Sequence, residues 1–208
     1  MNEHEKQSID HIKDIMERSS TFISLSGLSG VVSGILAIIG VFVLYTTFDS
    51  LFLTEEMLLS LERERTFLKN LSIVFITIFL LSVIFAFIMS YVKAKRTKDS
   101  IFNSSSKRFA FNLFIPVLAA VFVIISLIQN QTFWLIIPAT LIFYGLALLS
   151  AGRYSRPEIL HLGIGCLLSG ILSMYFVEFS FILWGIGFGI LNILTGISMY
   201  IKYDRKVK

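Results

Sequence analysis

The chain has 208 residues, 55% of them hydrophobic and 15% charged, with a formal net charge of +4 and a mean hydropathy of +0.80. Soluble domains carry about 25% charged residues, so this composition excludes an ordinary water-soluble domain. A single cysteine, Cys166, excludes a disulfide framework and a CxxC metal or redox motif, and is read as a small residue packed between helices.

The uncharged residues fall in blocks, at 19–48, 70–92, 109–152, 159–177 and 179–201. About 20 residues of helix cross a hydrocarbon core roughly 30 Å thick. The third block is long enough for two crossings, and QNQT at 129–132 divides it. The expected fold is therefore all-α: a polytopic membrane protein with six transmembrane helices in three antiparallel hairpins, preceded by an amphipathic cytoplasmic helix. The expected units are that helix at 1–20, a membrane domain at 21–203 and a basic tail at 204–208. The spans fall at about 21–48, 69–93, 109–128, 133–151, 157–177 and 180–202.

In chain order, residues 4–18 place Ile9, Ile12 and Met16 on one helical face beside Ile15. Acids outnumber bases there, which favours docking on the bundle's own basic loops or on a partner over a basic membrane anchor. His4 and His11 lie too far apart on that helix to share a metal, and are read as solvated. The first span is too long for a signal-peptide core and has no A-x-A site, so it is expected to remain in the protein. Its stretch SLSGLSGVVSGILAIIG is dense in glycine and serine. On a helix, Ser26, Gly30, Ser33 and Ala37 line one face, with Gly30 and Gly34 forming GxxxG. Small faces let backbones approach within lipid, where helix association brings little hydrophobic gain. The stretch reads as a packing helix, not a linker. The second helix is expected to start near Glu55, with Thr54 as cap and a Glu62–Arg65 pair, and to run past Lys93.

Spans three and four carry Pro116 and Pro138, expected to bend or locally open them. SRPEI at 155–159 is a helix start, with Pro157 in the first position and Glu158 in the first turn. Span five aligns Gly163, Cys166, Gly170 and Ser173, and span six aligns Gly185, Gly189, Asn192 and Gly196. The four-residue turn VEFS joins them, so they are expected to form the tightest pair, with Asn192 level with Gly165 and Cys166. A backbone carbonyl or Ser169 would then accept its hydrogen bond, and Gly187 would lie off the packing face. VVSGILAI at 31–38 recurs as LLSGILSM at 167–174, consistent with hairpins repeated in parallel.

Charge sets the orientation. Lys6, Lys13 and Arg18 precede span one, and Arg63, Arg65 and Lys69 follow it. Six cations lie between spans two and three, Arg153 and Arg156 between four and five, and Lys202, Arg205, Lys206 and Lys208 at the end. With both termini on one side, that side holds 15 Lys and Arg and the other 3. The positive-inside rule makes the richer side cytoplasmic. Because the basic clusters abut membrane ends, they read as a topology signal with anionic headgroup contact rather than a nucleic-acid site.

No Asp, Glu, Lys or Arg lies well inside a span, and HExxH, GxSxG and P-loop motifs are absent from the sequence. No catalytic, metal or cofactor site is expected. His161, near the cytoplasmic end of span five, and Asn192, deep in span six, are the polar positions that a ligand could meet. The bland reading of Asn192 is an interhelical hydrogen bond.

The segments GRYSRPEILHLG and FILWGIGFGILNILTGISMY, set in three short hairpins, resemble small six-helix bacterial membrane proteins. They are loosely similar to the six-helix acid-resistance membrane protein family. The resemblance covers mainly residues 133–203 and implies a bacterial inner-membrane protein, without functional residues to carry over. The expected function is that of a non-enzymatic accessory, sensory or stress-related component acting through packing with itself or with a membrane or cytoplasmic protein, among membrane lipids. The alternative is a transporter or binder of a neutral, lipid-like ligand gated by the proline-bent spans three and four. A third reading places intramembrane enzyme chemistry around His161.

Overall fold

The computed structural model of the protein describes residues 26–48, 65–97 and 104–205. The expected N-terminal amphipathic helix, the Thr54 cap with its Glu62–Arg65 pair, and the last three residues of the tail lie outside the described residues. What is described is all-helical, with six long helices. We label them α1 (Gly27–Phe48), α2 (Arg65–Thr97), α3 (Ser104–Gln129), α4 (Ile136–Gly152), α5 (Pro157–Tyr175) and α6, the composite Val177–Asp204.

Among the described residues, four helical segments are long and apolar enough to cross a membrane: Ser105–Gln129, Phe133–Gly152, Pro157–Tyr175 and Val177–Asp204. Gly27–Val43 and Phe79–Val92 are shorter apolar stretches within α1 and α2. Turns of three or four residues separate α3 from the 3-10 turn Phe133–Leu135 that leads into α4, and α4 from α5. α6 is built from five pieces: a 3-10 turn Val177–Phe179, an α-helical turn Ser180–Trp184, a π-helical turn Gly185–Ile190, an α-helix Leu191–Met199 and a second π-helical turn Tyr200–Asp204.

Glycine determines which helices meet. A Cβ added to Gly27 would strike the backbone of α6 at Gly196 and Tyr200, and one on Gly34 would lie 2.6 Å from the Gly189 carbonyl oxygen. Gly196 returns the contact, 2.6 Å from the Gly27 oxygen and the Val31 nitrogen. Gly185 meets Val41. Residues early in α1 thus meet residues late in α6, so the pair is antiparallel, with backbone against backbone at Gly27, Gly30, Gly34 and Gly196 and side chains against glycine at Gly185 and Gly189. A second seam joins α4 and α5, where Gly145 faces the Gly163 oxygen and the Leu167 backbone, Gly163 faces Leu148 and Leu149, and Gly170 faces Leu141 and Ile142.

These seams correct the expectation that α5 and α6 form the tightest pair. α5 packs most extensively on α4, and α6 on α1. The short turn after α5 makes α6 its neighbour but does not choose which face of each helix turns inward. Gly163 and Gly170 point at α4, while Gly189 and Gly196 point at α1, so the two glycine faces do not meet. Gly187, expected off the packing face, is buried as well, against Leu141 of α4 and Ser169 of α5. Gly30 lies against Gly196 and the Asn192 carbonyl.

Side chains fill what the seams leave. Leu148, Ile159, Leu162, Cys166 and Met199 form one buried cluster across α4, α5 and α6, and Ala37, Leu141 and Trp184 form another across α1, α4 and α6. α2 packs on α1, and α3 on α4. α3 presents Phe111, Phe114 and Phe122 outward, each more than half exposed. In water such faces would drive aggregation. In hydrocarbon they cost nothing.

Replacing Gly145 or Gly196 with alanine forces a Cβ against backbone, and each change is expected to lower stability by about 1–3 kcal/mol, the scale of overpacking. Gly165→Ala meets only the movable end of Leu191 and is expected to change stability by less than about 1 kcal/mol. Unfolding in detergent measures the difference. Equal losses at all three positions would show that close backbone approach does not set the packing.

Candidate functional site

The polar side chain nearest the middle of α6 is Asn192, buried at 5% exposure. Its amide nitrogen donates to the carbonyl oxygens of Gly187 at 3.3 Å and Phe188 at 3.1 Å. Both belong to the π-helical turn, whose i to i+5 bonding widens the backbone locally. A carbonyl has two lone pairs, and Gly187 uses the capacity, since the Cys166 thiol also donates to it at 3.4 Å. The Asn192 oxygen accepts from the Tyr144 hydroxyl of α4 at 3.2 Å. Tyr144 stacks on Phe188, with ring centroids 4.6 Å apart, and Phe188 lies 5.0 Å from Trp184.

Asn192 therefore makes an interhelical hydrogen bond, but to Tyr144 of α4 and not to Ser169 or a carbonyl of α5. The acceptors for its own N–H groups are in α6 itself. Both amide hydrogens and the oxygen are used inside the bundle.

A second polar cluster closes the end of the molecule where α1 begins and α6 finishes. Asp204 Oδ2 accepts from the Gly27 N–H at 3.0 Å and from the Ser26 hydroxyl at 3.4 Å. The first N–H groups of a helix have no intrahelical partner, and here α6 supplies one, with a negative charge that suits the helix dipole. On the other side of the same turn, Lys202 Nζ donates to Glu158 Oε1 at 2.8 Å, and the Tyr203 hydroxyl donates to the same carboxylate at 3.3 Å. Arg156 lies over the Tyr203 ring, 4.1 Å from its centroid. Adjacent residues thus reach two different helices, Tyr203 to α5 and Asp204 to α1. The π-helical turn Tyr200–Asp204 carries both.

The remaining predicted positions do not join either cluster. His161 is exposed on α5. α3 continues as α-helix through Pro116, and Pro138 is the third residue of α4, fully buried. A proline in the first turn lacks only an N–H that would have had no helical partner. The local opening expected at the two prolines is not found, because neither interrupts its helix. Among the described residues, no group of three or more His, Cys, Asp or Glu side chains could hold a metal ion.

The contacts of Tyr144, Glu158, Lys202 and Asp204 are not among the sequence expectations. Glu158 is visible only as a first-turn acid and Asp204 only as part of a basic tail. Folding the chain about residues 178–179 sets Glu158 level with the last turns of α6, where Lys202 stands, so the ion pair had a signal in the spacing. Tyr144 had none, because its partner lies 48 residues away on a nonconsecutive helix.

Taken together, the described residues define a helical protein with four segments able to span a membrane, with Asn192 hydrogen-bonded within the bundle. No family model matches the chain, and neither a curated protein nor a solved structure matches it.

The Tyr144–Asn192 bond is expected to contribute about 1 kcal/mol, the usual scale for a hydrogen bond between membrane helices. A double-mutant cycle of Tyr144→Phe and Asn192→Ala, read by unfolding in detergent, should return a coupling of that order. Strict additivity would show that the bond does not form.

Proposed function

We propose that this is a six-span protein of a bacterial cytoplasmic membrane with both termini on the cytoplasmic side. In this reading α1 and α2 cross the bilayer as the other four helices do, and the apolar stretches Gly27–Val43 and Phe79–Val92 supply their hydrocarbon-facing parts. The charge distribution supports the orientation: Arg153, Arg156, Lys202 and Arg205 lie at one end, whereas the α3–α4 turn carries no cation.

The protein acts without enzymatic chemistry, as an accessory, sensory or stress-related component that works through helix packing with a second copy or with a partner. One observation carries this reading: the buried amide at the centre, Asn192, spends its donors and its oxygen on the bundle's own groups. The alternative, a transporter or binder of a neutral, lipid-like ligand, relies on a gate at the two prolines, and neither proline breaks its helix.

The experiment is photo-crosslinking in intact cells from Phe122, 66% exposed on α3, with cysteine labelling at Gln131 and Arg153 in the same strain. The expected result is a discrete protein adduct, with Gln131 labelled from outside and Arg153 only after permeabilisation. Lipid adducts alone would contradict the accessory role. Labelling of Arg153 from outside would contradict the orientation.

A further inference from the structure

We propose that the end of the molecule bearing the α4–α5 turn is a docking surface for anionic phospholipid headgroups of the bilayer in which the protein sits. The proposal rests on the membrane reading above and adds the chemistry of what meets one face.

The surface is assembled from four helix ends. Lys107 and Arg108 lie in the first turns of α3, and both are exposed. Asn112 ties that end of α3 to α4: its amide donates to the Arg108 carbonyl at 2.8 Å, and its oxygen accepts from Ser150 at 3.4 Å. Ser150 is in the last turn of α4, so the first turns of α3 stand beside the turn that carries exposed Arg153. Arg156 follows and rests on Tyr203 of α6, which brings exposed Lys202 and Arg205 to the same rim.

Acids would ordinarily neutralise such a row. Here the described acids of this end, Glu158 and Asp204, are turned inward. Glu158 is 7% exposed and accepts from Lys202 and Tyr203, and Asp204 accepts from the first N–H of α1. Among the described residues, the salt bridge that crosses this rim is Lys202–Glu158. Its Lys202 side chain remains 59% exposed, with ammonium hydrogens left for a further acceptor. Among the described residues, the outer rim therefore presents one sign of charge. It does so at the ends of apolar helices, the depth at which phosphodiester groups lie. Tyr154, Tyr200 and Tyr203 occupy the same level, where tyrosine favours the membrane–water interface. Charge complementarity and depth together select the anionic lipid over a soluble partner.

The test uses the full chain purified in nonionic detergent and reconstituted with phosphatidylcholine, then titrated with phosphatidylglycerol, phosphatidylcholine or inorganic phosphate while thermal unfolding is followed. Arg153→Gln with Arg205→Gln removes two exposed cations outside the inward ion pair, and circular dichroism checks that the variant folds. Phosphatidylglycerol alone is expected to raise the unfolding temperature. The double variant should need about thirtyfold more of it for half the effect, as removal of two cations from an anionic surface implies. Added salt should shift the wild type in the same direction.

Equal stabilisation by phosphatidylcholine, an undiminished phosphatidylglycerol effect in the variant, or an equal effect of inorganic phosphate would each overturn the proposal. A chain that stays monodisperse in water and does not enter the bilayer would instead overturn the membrane reading beneath it.

Discussion

Backbone meeting backbone at two glycine seams is the constraint from which the rest of the structure follows. Where Gly34 faces the Gly189 carbonyl, and Gly145 the Gly163 carbonyl, no Cβ fits between the chains. Close approach maximises dispersion contact, the main attraction left to helices once lipid has removed the hydrophobic contribution. The seams fix α1 on α6 and α4 on α5. α2 and α3 are left to pack on α1 and α4, with wide apolar faces toward the surroundings.

The polar groups follow from that geometry. With α4 and α6 brought to either side of α5, Tyr144 reaches Asn192, and the π-helical turn offers carbonyls to both Asn192 and Cys166. A buried amide in a medium of low dielectric would otherwise cost several kcal/mol. At the charged end the second π-helical turn has a comparable effect, sending Asp204 to α1 and Lys202 with Tyr203 to Glu158. Inward acids satisfy helix ends and leave cations on the rim. Helix joining and the inward placement of the described acids thus meet at the same five residues of α6.

Much of this was legible in the sequence, for identifiable reasons. Uncharged blocks near the length of a bilayer announce apolar helices, and QNQT marks a true turn, with Gln131 in the left-handed region at φ 58°. The small residues of α1 do form a packing face, as the spacing of Gly30, Gly34 and Ala37 requires. Pairing was less legible. A helix with glycines around more than one side can turn any of them inward, and a short turn constrains proximity without constraining rotation, so Gly163 and Gly170 were assigned the wrong neighbour. The partner of Asn192 was hidden for a related reason: a π-helical turn shifts the register of α6, and 3.6-residue periodicity cannot foresee it. Pro138 misled because its position relative to the start of α4 depends on where the 3-10 turn at Phe133–Leu135 ends.

The most direct measurement of the central claim is cysteine cross-linking in native membranes in a Cys166→Ser background. Val41→Cys with Gly185→Cys samples the α1–α6 seam, and Leu148→Cys with Gly163→Cys samples the α4–α5 seam. In both pairs the added Cβ would lie 3.1 Å from a side-chain atom of its partner, close to the reach of a disulfide. Both pairs are predicted to cross-link rapidly on mild oxidation, while a control pair on outward faces, Phe87→Cys with Ile125→Cys, does not. Failure of both seam pairs in intact membranes, or cross-linking of the control at the same rate, would contradict the account.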